Sequence, residues 1–140
     1  MNPRHELAVE LFQLSRRWRN RLDERLRPHG LSKASWAVLY WVSQSPEGVS
    51  QVQLADQVSV ETSTLTRQLD AMETQGLIER ISVESDRRAK RVRLTEAARQ
   101  RIAECAPIAD AVRTEILGDI SEEEIEVAVS VLRRAHARLG

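Results

Sequence analysis

The stretch Gln75-Gly76-Leu77-Ile78-Glu79-Arg80, followed by Ser85-Asp86-Arg87-Arg88-Ala89-Lys90-Arg91-Val92-Arg93-Leu94-Thr95, decides the fold of this 140-residue chain. Gly76 stands where a helix ends, because only glycine enters the left-handed cap without a steric penalty. Apolar residues then recur at two-residue spacing, with Ile78, Ile81 and Val83 on one side of the stretch and Val92 and Leu94 on the other. That pattern predicts strands over Leu77 to Val83 and Arg91 to Leu94, with the basic segment between them as a hairpin tip. Five of the seven residues from Arg87 to Arg93 are cationic, in a chain whose 21 Lys and Arg are balanced by 21 Asp and Glu. The positive charge is therefore concentrated in one place.

Upstream of the hairpin the sequence reads as helices. Leu7, Leu11, Leu14, Trp18, Leu22 and Leu26 form one stripe of a helix that Pro28 and Gly30 end. Ser32 offers an N-cap to a second helix carrying Trp36, Leu39, Tyr40 and Val42, which stops before Pro46 and Gly48; it is apolar on several sides and is expected at the centre. Ser50 with Gln53 resembles a capping box for a short helix, Gln51 to Gln57, burying Val52, Leu54, Ala55 and Val58. After a turn over Val58 to Glu61, a helix from about Thr62 to Gln75 places Leu65, Leu69 and Met72 on one face and Thr62, Ser63, Thr66 and Arg67 toward the other.

Downstream, Thr95 caps a long helix to about Leu117, and Ser121 with Glu124 caps a last one bearing Ile125, Val129 and Leu132. Pro107 either kinks the long helix or divides it. The fold class is thus mainly α with a small β-hairpin wing, a winged helix-turn-helix flanked by N- and C-terminal helices.

A short helix, a turn and a longer polar-faced helix make a helix-turn-helix whose second helix enters the major groove of double-stranded DNA. Thr62, Ser63, Thr66, Arg67 and Gln68 are the candidate contacts there. Arg67 suits bidentate binding to guanine, and Gln68 suits adenine if its side chain points into the groove. Asp86, Arg87, Arg88, Lys90 and Arg91 are the candidate wing contacts, since clustered cations release counterions from phosphates whatever the base sequence. The acidic run Glu115, Asp119, Glu122, Glu123, Glu124 and Glu126 is expected to face away from nucleic acid.

Composition excludes several classes. The first ten residues lack the apolar core of a secretory signal, and no stretch approaches a membrane span, so a cytoplasmic location without membrane association is expected. The lone Cys105 cannot form an intrachain disulfide, and His5, His29 and His136 lack zinc-ligand spacing, so no metal and no cofactor are expected. Nucleophile elbow, phosphate-binding glycine loop and paired metal-ligand motif are all missing, which argues against an enzyme. Leu7, Leu11, Ile108, Val112, Ile116, Leu117, Ile120, Ile125, Val129 and Leu132 exceed what one small winged domain covers, so a homodimer is expected.

The segment Asp86 to Glu96 with Gln75 to Arg80 resembles the MarR family, specifically its SlyA branch. The likeness extends to Arg25-Leu26-Arg27-Pro28, Ser35-Trp36-Ala37-Val38-Leu39, Gln51-Val52-Gln53-Leu54-Ala55 and Leu69-Asp70. The resemblance implies a single MarR-type domain over 1–140, with 1–30 and 96–140 as dimerisation helices and 31–95 as the DNA-binding part. It implies a homodimeric transcription factor on pseudo-palindromic promoter DNA, in which Asp86 pairs with a nearby arginine to steady the wing and Arg87 or Arg88 enters the minor groove. It also implies a small aromatic acid as ligand, with Arg16, Trp18, Arg19, Ser35, Trp36 and Tyr40 as candidate lining. Ser35 departs from the histidine often found there, and Trp18, Trp36 and Tyr40 also have the spacing of core residues. Two alternatives differ in class: a redox-sensing regulator using Cys105, and a winged-helix protein-interaction module.

Overall fold

The computed structural model describes residues 2–83 and 86–140, the side chains of 83–89 excepted. Among the described residues there are six α-helices and three short strands in the order α1 (Pro3–Leu26), α2 (Lys33–Ser43), β1 (Val49–Ser50), α3 (Gln51–Val58), α4 (Thr62–Thr74), β2 (Ile78–Val83), β3 (Asp86–Leu94), α5 (Glu96–Leu117) and α6 (Glu122–Ala137). The mainly helical, winged helix-turn-helix class is the one expected.

Local chemistry sets the helix ends. Ser32, Ser50, Thr95 and Ser121 each accept a bond from the backbone N–H three residues on, as their sequence contexts predict. α1 begins a turn earlier than Leu7, because the Asn2 side chain accepts from Arg4 N and Pro3 supplies the fixed φ of a first helical position. It ends at Leu26 in a 3-10 turn, Arg27–His29, closed by Gly30 at φ +77. Glycine is favoured there by the left-handed φ; a Cβ would come within 2.8 Å of the Arg101 Nη2, the end of a flexible side chain that can move aside.

Two expectations change, and one alternative left open is decided. β3 starts at Asp86 rather than Arg91, with Val83 opposite Asp86, so the basic residues form part of a strand by backbone; residues 84–85 lie outside the described residues. Consecutive charged residues hide this part of the strand, because the sequence there lacks an apolar alternation and the register shifts between Lys90 and Asp86. Val52 is 73% exposed, not buried. In a helix as short as α3 a single inward arc exists, and Leu54, Ala55 and Val58 occupy it. α5 runs unbroken through Pro107, whose ring lies on its exposed side, so the helix is not divided.

The sheet is antiparallel in the order β1-β3-β2. Its inner face carries Val49, Ile78 and Val92 into a core with Leu26, Leu39, Val42, Leu54, Leu65, Leu69 and Met72. This core therefore ties α4 to the sheet and to α2, the expected central helix.

The long helices pack differently. Arg21 and Arg25 of α1 both bind the Glu115 carboxylate of α5, so one member of the acidic run is paired inside the chain. Val112 is fully buried within the chain and is not part of an uncovered face. By contrast none of the described residues of α6 is buried, and Leu7, Leu11, Phe12, Leu14, Val129 and Leu132 stand exposed on α1 and α6. Among the described residues no helix is long and apolar enough to cross a membrane.

Candidate nucleic-acid interface

The interface is built on α4. Leu65, Leu69 and Met72 point into the core, which turns Thr62, Ser63 and Arg67 outward. The turn before it is tight: Ser59 adopts φ 59, and Val60 N donates to Ala55 O at 3.1 Å, closing α3 in a left-handed cap. Glu61 then begins α4 without a side-chain cap, leaving N–H groups of the first turn with no intrahelical partner. Thr66 is half-buried, and its hydroxyl donates back to Thr62 O at 2.9 Å, so it meets an outside group only as an acceptor.

Gln68 is placed differently from its neighbour. Its Nε2 donates to Ser35 Oγ at 3.0 Å, and Ser35 in turn is bonded to Ser32 Oγ at 3.1 Å. The single helical step from Arg67 thus carries Gln68 out of the exposed face and onto α2.

β3 pairs with β2, the strand on which α4 packs. Lys90 and Arg91 are exposed, opposite Ser82 and Ile81 of β2. Arg91 also donates to Gly48 O at 3.4 Å, which keeps it at the base of the hairpin. Arg93 pairs with Glu79 across the strands. Asp86, Arg87 and Arg88 belong to β3 by backbone; their side chains, and the expected Asp86–arginine pair, lie outside the described residues.

One residue escaped the sequence reading. Arg80 of β2 is 15% exposed; its Nη1 lies 2.7 Å from Asp70 Oδ1 and 3.7 Å from Glu73 Oε1, while Nη2 donates to Thr66 O at 3.2 Å. Its Nε is buried with no partner among the described residues, a local cost that the charge-assisted bonds offset. The signal was present. Arg80 shares the strand face of Ile78 and stands opposite Val92, and a cation on an inward face requires a partner.

The ligand candidates do not converge. Arg16 and Arg19 line an open groove of about 470 Å³ with Leu11, Phe12, Ser15 and Lys33. Trp36 packs against the core and Ser35 is buried against Ser32 and Gln68. Tyr40 is 49% exposed and meets Trp41 edge-on, with ring centroids 5.3 Å apart. Trp18 is half-buried two residues from Arg16, on another side of α1. Leu11, Phe12, Ser15 and Lys33 are the groove residues that the ligand reading did not include. Cys105 is fully buried in the core, and burial pushes its thiol pKa up, the opposite of what a reactive thiolate needs.

Comparison with known proteins agrees with this architecture. The model of the MarR family matches residues 31–90, from the entry to α2 into β3. The crystal structure of the transcriptional regulator PA3341 is 43% identical, covers 95% of this chain and 97% of its own, and superposes with a TM-score of 0.87. Two more distant structures share the fold. A mutant MarR from E. coli complexed with operator DNA is 22% identical, with 93% of each chain covered and a TM-score of 0.82. CouR from Rhodococcus jostii RHA1, bound to p-coumaroyl-CoA, is 24% identical, with 91% of this chain and 89% of its own covered and a TM-score of 0.82. This chain belongs to the MarR family of transcriptional regulators.

Proposed function

We propose that the protein is a homodimeric, sequence-selective DNA-binding regulator of the SlyA-like type, acting on pseudo-palindromic promoter DNA in the cytoplasm rather than as an enzyme. The observation that carries this reading is the exposed face of Thr62, Ser63 and Arg67, seated on buried Leu65, Leu69 and Met72 of a helix that packs on β2, the strand paired with the cationic β3. Thr62, Ser63, Thr66 and Arg67 enter the major groove, Arg67 as the residue best suited to guanine. Arg87 or Arg88 enters the minor groove, where a narrow A/T-rich flank attracts guanidinium, with Asp86 holding the wing and Lys90 on phosphate. Gln68, spent on Ser35, serves the helix-turn-helix from within.

The whole chain acts as one domain, with 31–95 reading DNA and 1–30 and 96–140 forming the dimer. The apolar residues left exposed on α1 and α6 support that division, because a second copy covers them. A two-fold axis then places two recognition helices about 34–36 Å apart, one duplex turn.

A small aromatic carboxylate fits the groove of Arg16, Arg19 and Lys33, whose cations pair with an anion beside the Phe12 ring. That CouR binds a coumaroyl thioester supports a ligand of aromatic character in this fold. Such a ligand weakens DNA binding only by favouring a conformation with the wrong spacing between recognition helices.

Selection of bound duplexes from a random pool at physiological salt tests the reading. A two-fold motif with half-sites one turn apart is expected. A folded protein that enriches no sequence refutes it and turns attention to a protein partner for the wing.

A further inference from the structure

The contact between β2 and α4 carries a role that the exposed face alone does not reveal. Thr66, Asp70 and Glu73 lie at spacings of four and three residues, on one stripe of α4 facing the sheet. Arg80 meets all three, gripping the Asp70 carboxylate with Nη1 and, one turn toward the helix start, the Thr66 carbonyl with Nη2. A planar guanidinium held at two levels of a helix resists both rotation and sliding of that helix against the strand. The other end of β2 leads into the wing. The same side chain sets its charge against Asp70 and Glu73, the two acids of α4, which stand one to two turns from Arg67.

We propose that Arg80 is a positioning residue for sequence recognition: it fixes α4 relative to the wing so that base edges and minor groove are engaged together, and it cancels acidic charge close to the phosphates. This rests on the DNA-reading function proposed above. Without the grip, α4 shifts against β2, and contacts that depend on angle suffer before those that depend only on charge.

Arg80→Lys separates the two parts of the role. Lysine keeps the charge but is a point donor on a flexible stem and does not span the Asp70 carboxylate and the Thr66 carbonyl. The full-length Arg80→Lys protein is expected to keep its helical spectrum and oligomeric state and to bind random duplex within about threefold of the parent at an unchanged salt slope. Its affinity for the enriched operator is expected to fall roughly tenfold, the scale of one lost base contact. Arg80→Gln is expected to weaken random DNA as well, and adding Asp70→Asn to it restores that nonspecific affinity without restoring selectivity. Asp70, 60% exposed, allows the bridge to be cut from its solvent end, so Asp70→Asn alone gives a second variant without risk to the core.

An operator-to-random ratio preserved in both Arg80→Lys and Asp70→Asn overturns the proposal. So does an equal loss on all sequences with the salt slope reduced by one, which marks a phosphate contact instead. Amide exchange of the free protein reads the same bridge without DNA: Arg80→Lys is expected to speed exchange in α4, and unchanged protection there overturns the positioning role. If the parent enriches no duplex, the regulator reading fails on its own account, while the exchange result still decides whether Arg80 holds the helix.

Discussion

Gln68→Ala, measured in a double-mutant cycle with Ser35→Ala, decides whether Gln68 reads DNA or braces the helix that does. The Gln68 amide donates to Ser35 Oγ at 3.0 Å across a partly buried contact. A neutral hydrogen bond of this kind contributes about 0.5–1.5 kcal/mol net. Ser35 Oγ retains its bond with Ser32 Oγ when Gln68 is removed, so no orphaned buried group inflates the loss. Gln68 also lines a small apolar hollow with Ala34, Val38, Val60 and Leu65, so the single substitution removes packing as well as the bond. The cycle cancels that packing term, because Ser35→Ala does not touch it. The expected coupling is about 1 kcal/mol, read from urea unfolding at one fixed protein concentration, since a dimer's stability varies with concentration. Binding-site selection with Gln68→Ala is expected to return the parental motif. A coupling under about 0.3 kcal/mol removes the brace, and a base preference lost at one position puts Gln68 back in the groove.

Leu132→Asp puts a charge on an exposed apolar residue of α6 and is expected to yield monomers in sedimentation velocity; an unchanged dimer mass excludes this face from the interface. The Arg87→Ala/Arg88→Ala protein is expected to fold but lose operator affinity, and undiminished binding refutes the wing contact. Gly76→Ala is expected to cost about 1–2 kcal/mol by thermal or urea unfolding, all of it backbone strain, because Gly76 sits at φ +76 and a Cβ there meets nothing within 4 Å. Asp23 accepts the Lys33 backbone N–H and then pairs with Arg27, which together hold its carboxyl below the usual range against the opposing effect of burial. A carboxylate with a lowered folded pKa stabilises above its unfolded pKa and loses that contribution as pH falls through the folded one. The difference in melting temperature between parent and Asp23→Asn is therefore expected in full at pH 6 and to shrink below about pH 4; a constant difference down to pH 3 contradicts the assignment.

What the sequence revealed was what is decided within a few residues. Ser32, Ser50, Thr95 and Ser121 were legible as caps because each bond spans three residues and needs no tertiary partner. The stripe of Leu65, Leu69 and Met72 was legible because helical period alone puts these residues together. β1 was not, because two residues carry no alternation to detect; Val49 and Ser50 become a strand only when Val92 and Arg91 lie opposite them. The first five residues of β3 were concealed for a related reason. Of these, Asp86 and Lys90 have partners on β2, with a register shift between them, and the segment follows a charge pattern that a loop also shows.

The site was less legible than the fold because exposure and polarity are not the same property. Thr62, Ser63, Arg67 and Gln68 look alike in one dimension, all polar and all off the apolar stripe. One helical step of about 100° separates Arg67 from Gln68, and at that step a buried hydroxyl 33 residues away in sequence claims the amide. Arg80 presents the converse case. Read alone it is another cation in a basic region, yet its strand position forces it inward, where it meets Thr66, Asp70 and Glu73. A recognition surface is thus defined as much by the polar groups bound from behind as by those left facing outward. Local periodicity finds the outward set only up to the arc's edges. At those edges, Gln68 on one side and Arg80 on the other, the neighbouring element decides, and the sequence does not say which neighbour that is.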